Sequence, residues 1–222
     1  MFINFEGVDG CGKTSVINAI TIYLKNQGYN LEVTREPGGT SISEQIRQIL
    51  LNPNNTDMLP LTEAYLYASA RAQHVYKKIL PALKNNKIVI TDRYIHSSLA
   101  YQGVVKKLGI DFVYDLNLNA IDGGLVFPDI TFILDVPIEV ALERIAADPN
   151  RKADRFDQES IEFHKQVREA FKEVQRRFDF GTHWQCILID ASRSLEDVVK
   201  EILDILLPCL KCDKLTNSIL SK

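Results

Sequence analysis

The sequence has no apolar run near the ~18 residues that a membrane-spanning helix requires, and Met1–Glu6 has neither the basic start nor the apolar core of a signal peptide. The cytoplasm is therefore the expected address, with no membrane partner. Basic residues are not in excess: 26 Lys plus Arg stand against 29 Asp plus Glu, a formal charge of −3. A protein that works on duplex nucleic acid usually carries a basic surplus, so no nucleic-acid partner is expected. Cysteines are few and scattered, at Cys11, Cys186, Cys209 and Cys212, which excludes a disulfide scaffold. Cys209 and Cys212 form a lone C-x-x-C without a second pair or nearby histidines, so chance spacing on a polar tail explains it better than zinc. His74, His96, His164 and His183 also lack metal-ligand spacing. Asn54-Asn55-Thr56 reads as a polar turn. Repeats, low-complexity tracts and Pro/Gly/Ser linkers are absent, and 45% hydrophobic with 25% charged residues excludes a mainly disordered chain. One domain over residues 1–207 is expected, followed by a polar tail over 208–222.

Five short runs are rich in β-branched and aromatic residues: Phe2–Glu6, Leu31–Thr34, Ile88–Asp92, Ile130–Val136 and Cys186–Asp190. Most are continuously apolar, the pattern of strands buried on both faces. Helical patterns alternate with them. Lys13–Gln27 sets Val16, Ile17, Ile20 and Leu24 on one stripe, and Leu61–Leu83 and Ile161–Phe178 are the other long ones. The alternation predicts an α/β fold with a five-stranded parallel sheet sandwiched by helices.

Gly7-Val8-Asp9-Gly10-Cys11-Gly12-Lys13-Thr14 fits G-x-x-x-x-G-K-[ST], placed between a strand and a helix pattern and followed by Ser15. Glycines let the backbone curl so that successive N–H groups face phosphate oxygens. The helix N-terminus adds favourable potential; Lys13 reaches the β- and γ-phosphates, and the Thr14 hydroxyl ligates Mg²⁺. Such loops serve GTPases, ATPases, motors and small-molecule kinases. The guanine reader Asn-Lys-x-Asp is missing, and the chain is short for a motor.

Further residues narrow the choice. Arg35 closes the second strand pattern and Arg47 follows it; together they could clamp an anion. Asp92-Arg93-Tyr94 closes the third, where Asp92 could hold Mg²⁺ through water and Arg93 could bridge two phosphates. Strand C-terminal ends face the ligand in open α/β sheets. Tyr67 and Arg71 stand at i and i+4 on one helix face, a spacing that lets a ring stack on a flat base while a guanidinium donates to its edge. Ser97-Ser98-Leu99-Ala100-Tyr101-Gln102-Gly103 adds hydroxyls, an amide and another aromatic.

Phe5-Glu6-Gly7-Val8-Asp9-Gly10-Cys11-Gly12-Lys13-Thr14, Thr34-Arg35-Glu36-Pro37-Gly38-Gly39-Thr40, Asp92-Arg93-Tyr94 and the Ser97–Gly103 run together closely resemble the thymidylate kinase family, from about Met1 to Leu207. The likeness is to its bacterial branch, whose lid carries basic catalytic residues. That lid would span 148–159, with Arg151, Lys152 and Arg155. The resemblance implies a phosphate-loop kinase architecture with a short lid, conversion of ATP and dTMP to ADP and dTDP with Mg²⁺, and a homodimer. It places Asp9 on the 3′-hydroxyl of dTMP and Arg35, Arg47 and Arg93 on its phosphate. Tyr67 would stack on thymine, Arg71 would donate to O4 and Gln102 would approach N3, with Ser98 close by. Tyr101 would crowd the 2′ position, and Arg144 would lie along adenine. Many members carry Phe where Tyr67 stands, and many bacterial ones Glu in place of Asp9. Two alternatives compete: a deoxynucleoside kinase using Glu36 as base, which the three arginines disfavour, and a non-enzymatic nucleotide sensor, which Arg151 and Arg155 disfavour.

Overall fold

The structure, a computed structural model, describes residues 1–124, 126–149, 154–179 and 185–220, excluding the side chains of 122 and 212–220. Five strands, β1 (Phe2–Glu6), β2 (Leu31–Arg35), β3 (Ile88–Asp92), β4 (Ile130–Asp135) and β5 (Gln185–Asp190), form one all-parallel sheet in the order β2-β3-β1-β4-β5. The three central strands are buried along nearly their whole length. Full burial of each of Phe2, Ile3, Phe5, Ile90 and Phe132 stabilises the fold by about 1.5–3 kcal/mol before entropy is counted. The outer strands depart from the continuously buried pattern: β2 and β5 are half-exposed, because each sits at an edge of the sheet.

Helices α1 (Lys13–Asn26), α2 (Ser41–Leu51), α3 (Pro60–His74), α4 (Leu80–Lys84), α5 (Ile95–Ser98), α6 (Ile110–Ala120), α7 (Ile138–Ala146), α8 (Ile161–Phe178) and α9 (Leu195–Leu220) cover the sheet. The predicted stripe of α1 holds, with Val16, Ile17, Ile20 and Leu24 buried. Thr40 caps α2 and Ser160 caps α8, each accepting from the backbone N–H three residues on. Leu61–Leu83 is not one regular helix. A π-helical turn, Val75–Ile79, separates α3 from α4, just before Pro81, which lacks an N–H and whose ring crowds the preceding turn. A second π-helical turn, Leu99–Val105, carries Tyr101 and Gln102. The predicted polar tail begins inside α9, which continues past Pro208 to Leu220. Among the described residues no helix is long and apolar enough to cross a membrane.

Register positions the site. Arg35 pairs with Asp92, and Asp92 pairs with Phe5, so β2, β3 and β1 end side by side. The phosphate loop leaves β1 at that edge.

Candidate active site

The loop after β1 curls because its glycines take left-handed backbone angles. Gly10 lies at φ 77°, and a Cβ there would run into the Ala141 backbone. Val8 and Cys11 turn inward to the core, so only their backbone can face a phosphate. The Lys13 ammonium folds over the loop, donating to the carbonyls of Gly7 at 3.1 Å and Val8 at 3.2 Å. Thr14 and Ser15 line the adjoining cavity of about 460 Å³, with Asp92, Arg35, Arg47 and Arg93 across it. Asp92 Oδ1 is buried and has no hydrogen-bond partner among the described residues. A carboxylate oxygen so placed, in a cavity that Thr14 also lines, suits a hard divalent cation.

Arginines from three segments converge at the far side of this cavity. Arg35 and Arg47 both donate to the Pro37 carbonyl, at 3.1 and 2.9 Å, and Arg35 also reaches Glu44. Burial and the neighbouring Arg35 lower the Arg47 pKa. Arg93 donates to Asp9 at 2.7 Å and to the Ser97 hydroxyl at 3.0 Å. Burial works against its charge, yet Tyr101 and the carboxylates of Asp9, Asp92 and Glu6 raise its pKa above the usual value. Its backbone is left-handed, φ 71°. Glu6 anchors that turn from below, accepting from the Tyr94 and Ser97 N–H groups and the Ser97 hydroxyl.

A second, narrower pocket adjoins, lined by Tyr67, Ser98, Tyr101, Gln102 and Phe156. Arg71 lies behind it, fully buried. Its Nε donates to Glu36 at 2.7 Å, and its Nη1 donates to Ser98 at 3.1 Å and to Asn117. Glu36 also pairs with His74 at 2.9 Å. Both Glu36 oxygens are thus engaged by side chains of α3. Tyr101 packs edge-on against Phe156, ring centroids 5.5 Å apart, and Arg93 lies over its other side. The two cavities share Asp9, Glu36, Arg47 and Arg93.

A thymidylate kinase profile matches residues 5–202. The chain belongs to the thymidylate kinase family. A thymidylate kinase from Leuconostoc mesenteroides is 48% identical over 202 residues, covering 90% of this chain and 92% of the relative. One from Pediococcus pentosaceus is 47% identical over 209 residues, covering 92% and 96%. The crystal structure of thymidylate kinase from Ehrlichia chaffeensis superposes with a TM-score of 0.73 at 33% identity, covering 93% of this chain and 98% of that one. Thymidylate kinases are phosphotransferases that use ATP and dTMP.

Against the thymidylate kinase expectations, the remaining residues divide. Arg144 donates to the carbonyls of Cys11 and Ala191 and borders a further cavity with Gly12, Ser15 and Arg193. Arg155 does not line the phosphate cavity. It is buried, donating to the Leu50 carbonyl at 3.0 Å and pairing with Glu63. Arg151 and Lys152 lie outside the described residues. Sequence reasoning missed Glu6, Glu63 and Asn117, all buried polar residues that hold named site residues. Only Glu63 had a signal: it stands one turn before Tyr67 and two before Arg71 on the same helix.

Proposed function

We propose that this chain carries out the family reaction with the residues brought together above. The γ-phosphoryl of ATP passes to the 5′-phosphate of dTMP: a P–O bond forms to an acceptor phosphate oxygen, the β–γ bridging bond breaks, and ADP and dTDP leave. The observation that carries this reading is the shared wall of the two cavities. Asp9, Glu36, Arg47 and Arg93 belong to both, so a donor phosphate at Lys13 and an acceptor phosphate beside the arginines would meet there. A monophosphate acceptor already bears anionic oxygens, so the site needs cations to offset repulsion rather than a base.

In this assignment the loop backbone and Lys13 hold the donor phosphates. Arg35, Arg47 and Arg93 hold the acceptor phosphate, while Arg93 also faces the transferred group. Asp9 takes the 3′-hydroxyl, and Tyr101 closes the space beside the sugar's 2′ carbon. Tyr67 stacks on thymine, with Arg71 and Gln102 at its edge and Ser98 fixing Arg71. Arg144 lies along adenine. Arg151 supplies a further cation from the lid. Thr14 and Asp92 would hold Mg²⁺, supported by the orphan Asp92 oxygen; when bound, the ion neutralises charge on the β- and γ-phosphates. Homodimer formation is supported by Ile42 and Ile49 on α2, Leu61 and Tyr65 on α3 and Phe112 on α6. These are large exposed apolar residues on helices that pack side by side.

The test is ADP release from ATP and Mg²⁺ in the presence of dTMP, thymidine, or other nucleoside monophosphates. ADP formation that depends on dTMP and not on thymidine is expected. Equal release without any acceptor would overturn the assignment.

A further inference from the structure

Three residues stand at i, i+4 and i+8 on α3: Glu63, Tyr67 and Arg71. Tyr67 lines the pocket assigned to thymine, Arg71 lies behind it, and Glu63, completely buried, holds Gln102 of the pocket wall. Its Oε1 accepts from Gln102 Nε2 at 2.6 Å. Its Oε2 accepts from Lys106 at 2.8 Å and pairs with Arg155. Burial would favour the neutral acid, but Lys106 and Arg155 outweigh it and hold the carboxyl below its usual pKa. An ionised carboxylate can only accept hydrogen bonds. Gln102 must therefore turn its amide nitrogen toward Glu63, which leaves its Oε1, an acceptor, for the pocket that the residue lines.

We propose that Glu63 is a specificity-determining positioning residue: it fixes the orientation of the Gln102 amide, so that the pocket accepts a pyrimidine with a donor at N3 and refuses one with an acceptor there. The inference rests on the reading of this pocket as the thymine site. Thymine and uracil carry N3–H, which Gln102 Oε1 accepts. Cytosine presents a bare N3, placing two lone pairs face to face. Arg71 reads the neighbouring position independently. Its Nη2 makes no hydrogen bond among the described residues, and it can only donate, which suits O4 and not an amino group. Two edge positions are thus read by one acceptor and one donor, and the acceptor owes its polarity to Glu63.

The two readers differ in how firmly they are set. A guanidinium has no other face to present, whereas an amide can rotate and exchange its donor for its acceptor. Gln102 without a charged neighbour would sample both orientations. Glu63→Gln supplies that condition with almost no change in shape. The new amide can donate to Gln102 Oε1, turning Gln102 Nε2 toward the base.

The experiment measures kcat and KM for dTMP and dCMP in the wild type, Glu63→Gln and Lys106→Gln. Glu63→Gln should raise KM for dTMP with little change in kcat, and should reduce the dTMP-to-dCMP ratio of kcat/KM by roughly tenfold or more. Lys106→Gln removes an ion pair from the same cluster but leaves the carboxylate charged by Arg155, so it should keep the wild-type ratio. If Glu63→Gln does not fold, the double variant Glu63→Gln/Lys106→Gln, which keeps the cluster's net charge, takes its place with the same expected fall. An unchanged ratio in folded Glu63→Gln, or an equal fall in Lys106→Gln, would overturn the proposal. Wild-type protein that shows no preference for dTMP would instead sink the reading of the pocket.

Discussion

Arg93 reaches Asp9 at 2.7 Å from a backbone in the left-handed region, φ 71°. For a residue with a Cβ that conformation costs roughly 1–2 kcal/mol, so the surrounding contacts must hold it. Glu6 does so, gripping the N–H groups of Tyr94 and Ser97 on the side away from the site. Arg93→Gly and Arg93→Ala should both lose most phosphoryl transfer, since each lacks the guanidinium. The glycine variant should be the more stable by about 1 kcal/mol. Urea unfolding of the two variants checks this; equal midpoints would mean that the turn is not strained.

Lys13→Ala should lower kcat by roughly a hundredfold or more, the scale of removing one preorganised charge from a transferring phosphoryl group. Lys13 is buried and ties down the carbonyls of Gly7 and Val8. The variant should therefore also show faster hydrogen exchange in the loop than wild type. Steady-state turnover combined with exchange of the loop amides tests both halves.

Arg151 and Arg155 should separate by phenotype. Arg155 is tied to Glu63 and the Leu50 carbonyl, beside the base pocket. Arg155→Ala should accordingly weaken dTMP binding by roughly tenfold, the scale of one charge-assisted hydrogen bond lost. Arg151→Ala should lower kcat with dTMP affinity nearly unchanged, because a lid cation acts mainly in the transition state. Measured kcat and dTMP dissociation constants for both variants decide. A matching loss of kcat alone in Arg155→Ala would return that residue to the catalytic group.

Burial, with Arg71 nearby, pushes the His96 pKa down to about 3 from 6.5. Between those values the unfolded chain binds a proton that the folded chain refuses. Stability should therefore fall as pH drops through this window, by up to about 1.4 kcal/mol per pH unit. Glu6, whose pKa burial raises, acts in the opposite sense. The comparison of wild type with His96→Gln isolates the histidine. The variant should lose less stability between pH 7 and pH 4.5, measured by urea midpoints; identical losses would refute the linkage.

The strand centres and the phosphate loop were legible because their signals are local. Ile161–Phe178 forms a helix over the range read from its periodicity, and Ser160 supplies the cap. Edge positions were not legible, since sheet order is a property of the whole topology: Val33 looks like a core residue in sequence yet is exposed on β2. Pro81 gave the only warning that Leu61–Leu83 would be interrupted. In the site, Arg35, Arg47, Tyr67, Arg93 and Gln102 could be named because their types match a phosphate and a base. For Glu63 the helical spacing to Tyr67 and Arg71 was a signal of place but not of role, because its role comes from partners 39, 43 and 92 residues away.

The all-parallel sheet has a consequence for assembly of the chain. Parallel neighbours require a crossover between every pair of strands, and the acceptor pocket takes its walls from the turns after β1, β2 and β3, from α3, and from the segment at Phe156. Such long-range closure is slow and comes late in folding. A dTMP analogue therefore reports on the finished fold: during refolding, its capture should lag behind the gain of helix signal, and no fragment that keeps only the phosphate loop should bind it.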